Sequence, residues 1–465
     1  MRPIFKGESA GAAIRSLEGL QRLAGTLGFE VVTPAVQDAP LKTASGDLLP
    51  AYAVHDELTA RRAADELARS RPDLLIIQHT TFATGELLAP LLGLEVPTLA
   101  WALPEGAGGR GDSGPLPLNS LCGVNMTMSL LDTPQIARQL PVKWIHGEVD
   151  SPAFTERFEA TVAALRVVKA VQSARILHIG GTAPHFYGIE ELPALAGVQV
   201  ERIELEELFG RIEAVAAGDA RELVREWLQR EDSSVGSEGL QRTAALQLAL
   251  AELARDGEFD AVAFRCWPEL PERCGTMACA AMGNLMGAGV PTACEGDVMG
   301  ALSLIALQAA SGEPPLLMDL SDVDPQRGLL FWHCGNGPLE WARPGRSKLT
   351  THFNRDGVGT VRDMVVAPGP ATGFRLLKGG RKALLFTGEY LNGADDAGFD
   401  GVRGWLGDLA WDGEAVSPKR FLEGALDARL PHHYAFGKGD LTTTLREASA
   451  WLGAGILPLP GQGGL

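Results

Sequence analysis

The chain has 465 residues, of which 45% are hydrophobic and 21% charged. It is too long for one core and too apolar for extended disorder, so two or three globular domains are expected. A formal net charge of -17 disfavours nucleic acid and anionic membranes as partners.

The first twenty residues contain no apolar signal core. No run approaches the roughly 18 apolar residues that span a bilayer. A cytoplasmic location is therefore the default expectation. The six cysteines include no C-x-x-C pair, which fits reduced thiols rather than a disulfide framework or a paired zinc motif.

In chain order, residues 10–28 carry apolar residues at helical spacing, and Phe29–Val32 reads as a short strand. Residues 57–70 read as a helix, Leu74–Ile77 as a buried strand, and Val96–Trp101 as the next strand. Strands alternating with helices imply a parallel, open α/β sheet. Gly106–Gly111 is glycine-rich but lacks the endings of a phosphate loop or a dinucleotide fingerprint, so a flexible loop near a ligand site is expected. A helix over 152–172 leads to a second α/β pattern: a strand and loop over 175–181, helices at 219–229 and 238–255, a strand at 260–264, and an Ala/Met/Gly-rich helix at 275–288. After residue 316 short strands at 328–333, 348–354, 359–367, 373–377 and 382–388 alternate with turns, and a helix at 440–452 follows Asp440 as its cap. The predicted fold is thus two open parallel-sheet α/β domains, 1–172 and 173–315, followed by a mostly β domain, 316–465.

The chemistry concentrates in the second half. Glu295 follows a Gly-Val-Pro turn and a short strand. Asp319 follows Leu316-Leu317-Met318, and His333 follows Leu329–Trp332. His432 and His433 sit in Leu430-Pro431-His432-His433-Tyr434. Each falls at or near the end of an apolar strand, where a rigid element can present a polar group to a shared cleft. Two carboxylates with one or two imidazoles suit a divalent cation such as Mn2+, and the carboxylates can also move protons. Taken singly, each residue has a plainer explanation: a solvated loop glutamate, or a hydrogen-bonded core histidine. Spacing alone does not join them.

The motifs supply that link. Ala293–Leu302 resembles the first ligand segment of the L-arabinose and L-fucose isomerases. Leu317–Leu320 resembles the segment bearing their second acidic ligand. Phe331–Asn336 resembles the segment with the first ligand histidine of the arabinose branch, and Pro431–Tyr434 the C-terminal ligand segment. The motifs keep family order and cover most of residues 260–440; over the first 170 residues the likeness is architectural. Asp319 matches the fucose branch, whereas His333 points to the arabinose branch.

The resemblance implies a manganese-dependent aldose–ketose isomerase working through a cis-enediol, with Mg2+ or Co2+ as alternative cations. It makes Glu295 and Asp319 metal ligands and the acid/base pair, His333 a ligand or near-site residue, and one of His432 and His433 the last ligand. Trp267 and Cys266, after a strand end, and Trp332 and Tyr434, beside the ligand positions, are candidate substrate contacts. Arg110, His185 and Arg265 are candidate grips for an anionic group. The family further implies a trimer or hexamer in which a neighbouring N-terminal domain completes each site, with His79, Trp101 and Glu105 as possible contributors. A non-catalytic sugar-binding protein, an epimerase or a lyase on the same scaffold are the competing classes.

Overall fold

The computed structural model describes residues 7–42, 48–105, 118–136, 138–354, 357–392 and 400–461. The glycine-rich segment at 106–111, with Arg110, lies outside the described residues. The chain forms two compact units, Met1–Leu165 and Arg166–Leu465.

In the first unit the strands Leu75–His79, Thr98–Ala102 and Val142–His146 pair in parallel. The central strand is buried throughout, as a strand covered on both faces must be. Helices Glu57–Ser70, Gly85–Leu92 and Ser120–Leu130 follow in the expected alternation. The first is fixed by a reciprocal cap: the Asp56 carboxylate accepts from the Thr59 N–H while the Thr59 hydroxyl contacts the Asp56 backbone. Phe29–Val32 is not a strand. The Phe29 N–H closes the end of helix Gly7–Thr26 on the Ala24 carbonyl, and Val32 is exposed.

The second unit holds two sheets. Four parallel strands run in the order Thr292–Cys294, Ala261–Phe264, Arg175–Ile179, Gln199–Ile203. Downstream, six antiparallel strands close on themselves: Leu316–Asp324, Gly328–His333, Val402–Trp411, Lys382–Tyr390, Gly369–Leu377 and His433–Lys438. Closure into a barrel removes free edges. Its interior is aromatic: Phe331, Phe386, Tyr390, Tyr434 and Phe436 meet largely edge-to-face, each such pair adding about 1 kcal/mol beyond burial. The molecule therefore has parallel α/β elements and a mostly β C-terminal region.

Helix Val298–Ser311, apolar on nearly every side, packs between the parallel sheet and the barrel strands Gly369–Leu377 and His433–Lys438. That sandwich sets the carboxyl end of strand Thr292–Cys294 against the barrel's outer face. Asp440 accepts from the Thr442 N–H at 2.9 Å and so serves helix Thr442–Trp451 from one residue further upstream than a normal cap.

Candidate active site

Glu295 leaves the parallel sheet at the carboxyl end of a strand, where open α/β sheets present ligand-binding groups. Its φ is +61°, a left-handed conformation uncommon outside glycine. Gly296 follows at φ +76°, and a Cβ there would lie 2.2 Å from the Gly181 carbonyl oxygen. Both residues are pinned: the Glu295 carbonyl accepts from the Ala183 N–H at 2.8 Å, and the Gly296 N–H reaches Phe264 O at 3.0 Å. The strained turn thus holds the carboxylate in one place.

The barrel supplies the opposite wall. Asp319 and His433 are directly opposed on neighbouring antiparallel strands. On each strand the alternation sends these polar residues outward, while Met318 and Tyr434 point into the barrel core. His433 Nδ1 donates to Asp297 Oδ2 at 2.8 Å. That bond fixes the tautomer and leaves Nε2 with a lone pair, as for a histidine that holds a metal with a carboxylate behind it. Nε2 lies 3.5 Å from Glu295 Oε2 and 3.8 Å from Asp319 Oδ1.

Asp297 is fully buried. It caps helix Val298–Ser311 through the Gly300 N–H at 2.8 Å and receives two bonds from Arg375, at 2.6 and 2.8 Å. Burial would push its carboxyl upward, but the Arg375 charge and the His433 bond hold it well below the usual range. Glu295 behaves likewise: burial raises it, while the hydrogen bond with His432 and the neighbouring imidazoles bring it below the ordinary value. His432 is raised, the Glu295 bond at 2.9 Å and the surrounding carboxylates outweighing burial.

The residues present fit a divalent cation. Glu295 Oε2 and Asp319 Oδ1 each approach His433 Nε2, and Asp319 Oδ1 is buried without a hydrogen bond, an orphan acceptor that a cation would satisfy. His432, His433 and Glu295 also bring ligand atoms within 4.8 Å of one another. His333 is placed beside this group with its proton facing inward. Its Nδ1 accepts the Cys334 N–H at 2.8 Å, so the neutral ring carries hydrogen on Nε2, 3.0 Å from Cys294 Sγ. Burial, then the Glu295 charge, pushes the Cys294 thiol well above the usual range.

The remaining candidates divide. Cys266 is buried beside Glu295, its thiol raised by burial and by that charge. Trp267 meets Phe186 edge-on at 5.6 Å, and Phe186 meets His432 at 5.6 Å, so the Trp267 and Phe186 rings form an apolar wall beside His432. Trp332 ties its indole N–H to Asp400 O at 2.8 Å and faces Phe353. Tyr434 is not brought to the cluster: it packs on Phe331 and Phe386 inside the barrel. Arg265 pairs with Glu269 at 2.6 Å, and exposed His185 contacts the Tyr187 hydroxyl at 3.2 Å. In the first unit, His79 bonds Thr127, the Trp101 N–H bonds Gly147 O at 2.9 Å, and Glu105 accepts from Leu118 and Asn119. Each has a partner within its own unit.

Sequence reasoning assigned no role to Asp297 or Arg375. An aspartate immediately before an apolar helix was a readable cap signal. A lone arginine inside the strand Gly369–Leu377 gave none.

No family model matches the chain. Among curated proteins, a sulfoquinovose isomerase of Alkalicoccus urumqiensis is 31% identical over 395 residues, 81% of this chain and 84% of the relative. One from Priestia megaterium (strain ATCC 12872 / QMB1551) is 28% identical over 403 residues, 83% and 86%. One from Clostridium sp. (strain MSTE9) is 28% identical over 331 residues, 67% and 70%.

Proposed function

Because the chain belongs to the L-fucose/L-arabinose isomerase-like family of sugar isomerases and is an aldose–ketose isomerase, we propose that its substrate is a 6-sulfonated aldohexose, sulfoquinovose, and that Glu295 and Asp319 are its acid/base pair. The approach of both Glu295 and Asp319 to His433, with Asp319 Oδ1 left unsatisfied, carries the catalytic reading. The likeness to sulfoquinovose isomerases carries the choice of sugar.

Isomerisation moves a proton from C2 to C1 and a hydroxyl proton from O2 to O1. Glu295, held ionised at neutral pH, is able to take a proton, and Asp319, 3.8 Å from His433 Nε2, would manage the second transfer. A Mn2+ bound by Glu295, Asp319 and His433 would polarise the carbonyl and stabilise negative charge on the sugar oxygens. Asp297, locked by Arg375, keeps His433 in the tautomer that offers Nε2. His432 holds the Glu295 carboxylate in position, and the Trp267–Phe186 wall gives the apolar face of the sugar a surface to lie on. We read the protein as cytoplasmic and homo-oligomeric, a trimer or hexamer, which light scattering tests.

The substrate reading is tested by proton NMR in D2O with sulfoquinovose, L-fucose and L-arabinose side by side. Sulfoquinovose is expected to give the sulfonated ketose and to acquire deuterium beside the carbonyl. Turnover of the neutral sugars alone would overturn the sulfonate assignment. Carbon–carbon fragments would overturn isomerisation.

A further inference from the structure

Cys279, Cys334 and His352 form a second cluster that the isomerase chemistry does not use. Their ligand atoms all lie within 4.8 Å of one another, and the two thiols are 3.4 Å apart. Cys279 opens helix Cys279–Gly287, Cys334 follows strand Gly328–His333, and His352 follows strand Ala342–Thr350. No short motif announces them, because the three donors come from three elements.

Geometry and donor chemistry narrow the occupant. A disulfide needs sulfurs about 2.05 Å apart. A tetrahedral cation with bonds of about 2.3 Å to sulfur holds its thiolates roughly 3.8 Å apart, close to the observed separation. Two thiols and an imidazole select a borderline or soft cation; Mn2+ and Mg2+ prefer the oxygen-rich set at Glu295 and Asp319. Met277 and Val361 pack around the sulfurs and keep the pocket apolar.

We propose that Cys279, Cys334 and His352 bind Zn2+ with a water as the fourth ligand, a cation distinct in class from the one proposed at the active site. Bound there, it would cross-link a helix start and two strand ends. Cys334 neighbours His333, whose Nε2 contacts Cys294, so the cation would also steady one wall of the catalytic cluster. The inference rests on neither the substrate nor the metal dependence of turnover.

Two measurements on the full chain test it. In the first, metal-stripped, reduced protein is titrated with Co2+ as a spectroscopic substitute. An intense near-ultraviolet thiolate-to-cobalt band is expected, lost in Cys279→Ser and Cys334→Ser but retained in Cys294→Ala. A band that survives both serine substitutions, or disappears with Cys294→Ala, would place the thiolate ligand elsewhere and overturn the proposal. In the second, which needs no variant, wild-type protein is alkylated with and without one equivalent of Zn2+ and mapped by mass spectrometry. Zn2+ is expected to slow modification of Cys279 and Cys334 at least about tenfold while Cys122 reacts unchanged. Equal modification with and without Zn2+, or recovery of the pair as a Cys279–Cys334 disulfide that forms in the presence of Zn2+, would reject the site.

Discussion

Each compact unit contains a parallel sheet with a titratable residue near the carboxyl end of a strand, and the two residues meet opposite fates. His79 ends its strand beneath helix Ser120–Leu130. Thr127 bonds its ring at 2.9 Å, and Gly123 passes so close that a Cβ there would lie 2.5 Å from Nδ1. Burial alone drives this imidazole down to about 4, so it stays neutral. Glu295 ends its strand beneath barrel strands that carry Asp319, His432 and His433, and its carboxylate is kept ionised among partners able to exchange protons. The strand end supplies only the position. What packs over it, a closed helix or a polar barrel wall, decides whether the residue is sealed in neutral or left among ionisable partners.

The comparison is broken most directly at Glu295. Glu295→Gln is expected to keep the fold and lower kcat by about 10²–10⁴-fold, measured by ketose formation. A loss smaller than tenfold would return Glu295 to the same structural class as His79.

Next in size is Asp297→Ala, which strips Arg375 of its buried partner. The expected cost is roughly 3–5 kcal/mol in denaturant unfolding, together with about 10–100-fold weaker Mn2+ binding through the loosened His433. Unchanged Mn2+ affinity in the folded variant would detach Asp297 from the site.

His79 tests the other half. Its folded pKa lies below the ordinary 6.5, so folding favours the neutral ring. The stabilisation is fully present above pH about 6.5 and is lost as pH falls toward about 4, amounting to roughly 2–3 kcal/mol. His79→Gln, which does not titrate, is expected to flatten the fall of Tm across that interval. An equally steep fall in the variant would show that His79 is not the group being strained.

The smallest effect is expected at Tyr434. With its ring in the barrel core, Tyr434→Phe should change kcat/KM by less than about threefold. A loss of a hundredfold would place the hydroxyl on the substrate.

The sequence made the polar residues after apolar strands visible, because a rigid strand ending in Glu, Asp or His is a local pattern. Family motifs then grouped Glu295, Asp319 and the histidine pair, which spacing did not. Tyr434 was within reach of sequence reasoning too: on a strand beginning at His433, a period of two sends the neighbour to the opposite face. Phe29–Val32 misled because β-branched residues after a helix look like a strand whether or not a partner edge exists. Barrel closure, the Asp297–Arg375 lock and the Cys279–Cys334–His352 cluster were not legible. Each arises where distant strands and helices meet, and none leaves a periodic trace.

We propose that one divalent cation, held by Glu295, Asp319 and His433, is required for turnover. Protein stripped with a chelator and assayed on sulfoquinovose during a Mn2+ titration, with bound Mn2+ followed by electron paramagnetic resonance, tests it most directly. The account predicts an inactive stripped protein whose activity returns in step with site occupancy, and an Asp319→Asn variant that needs far more Mn2+. Full turnover by the stripped protein would contradict it.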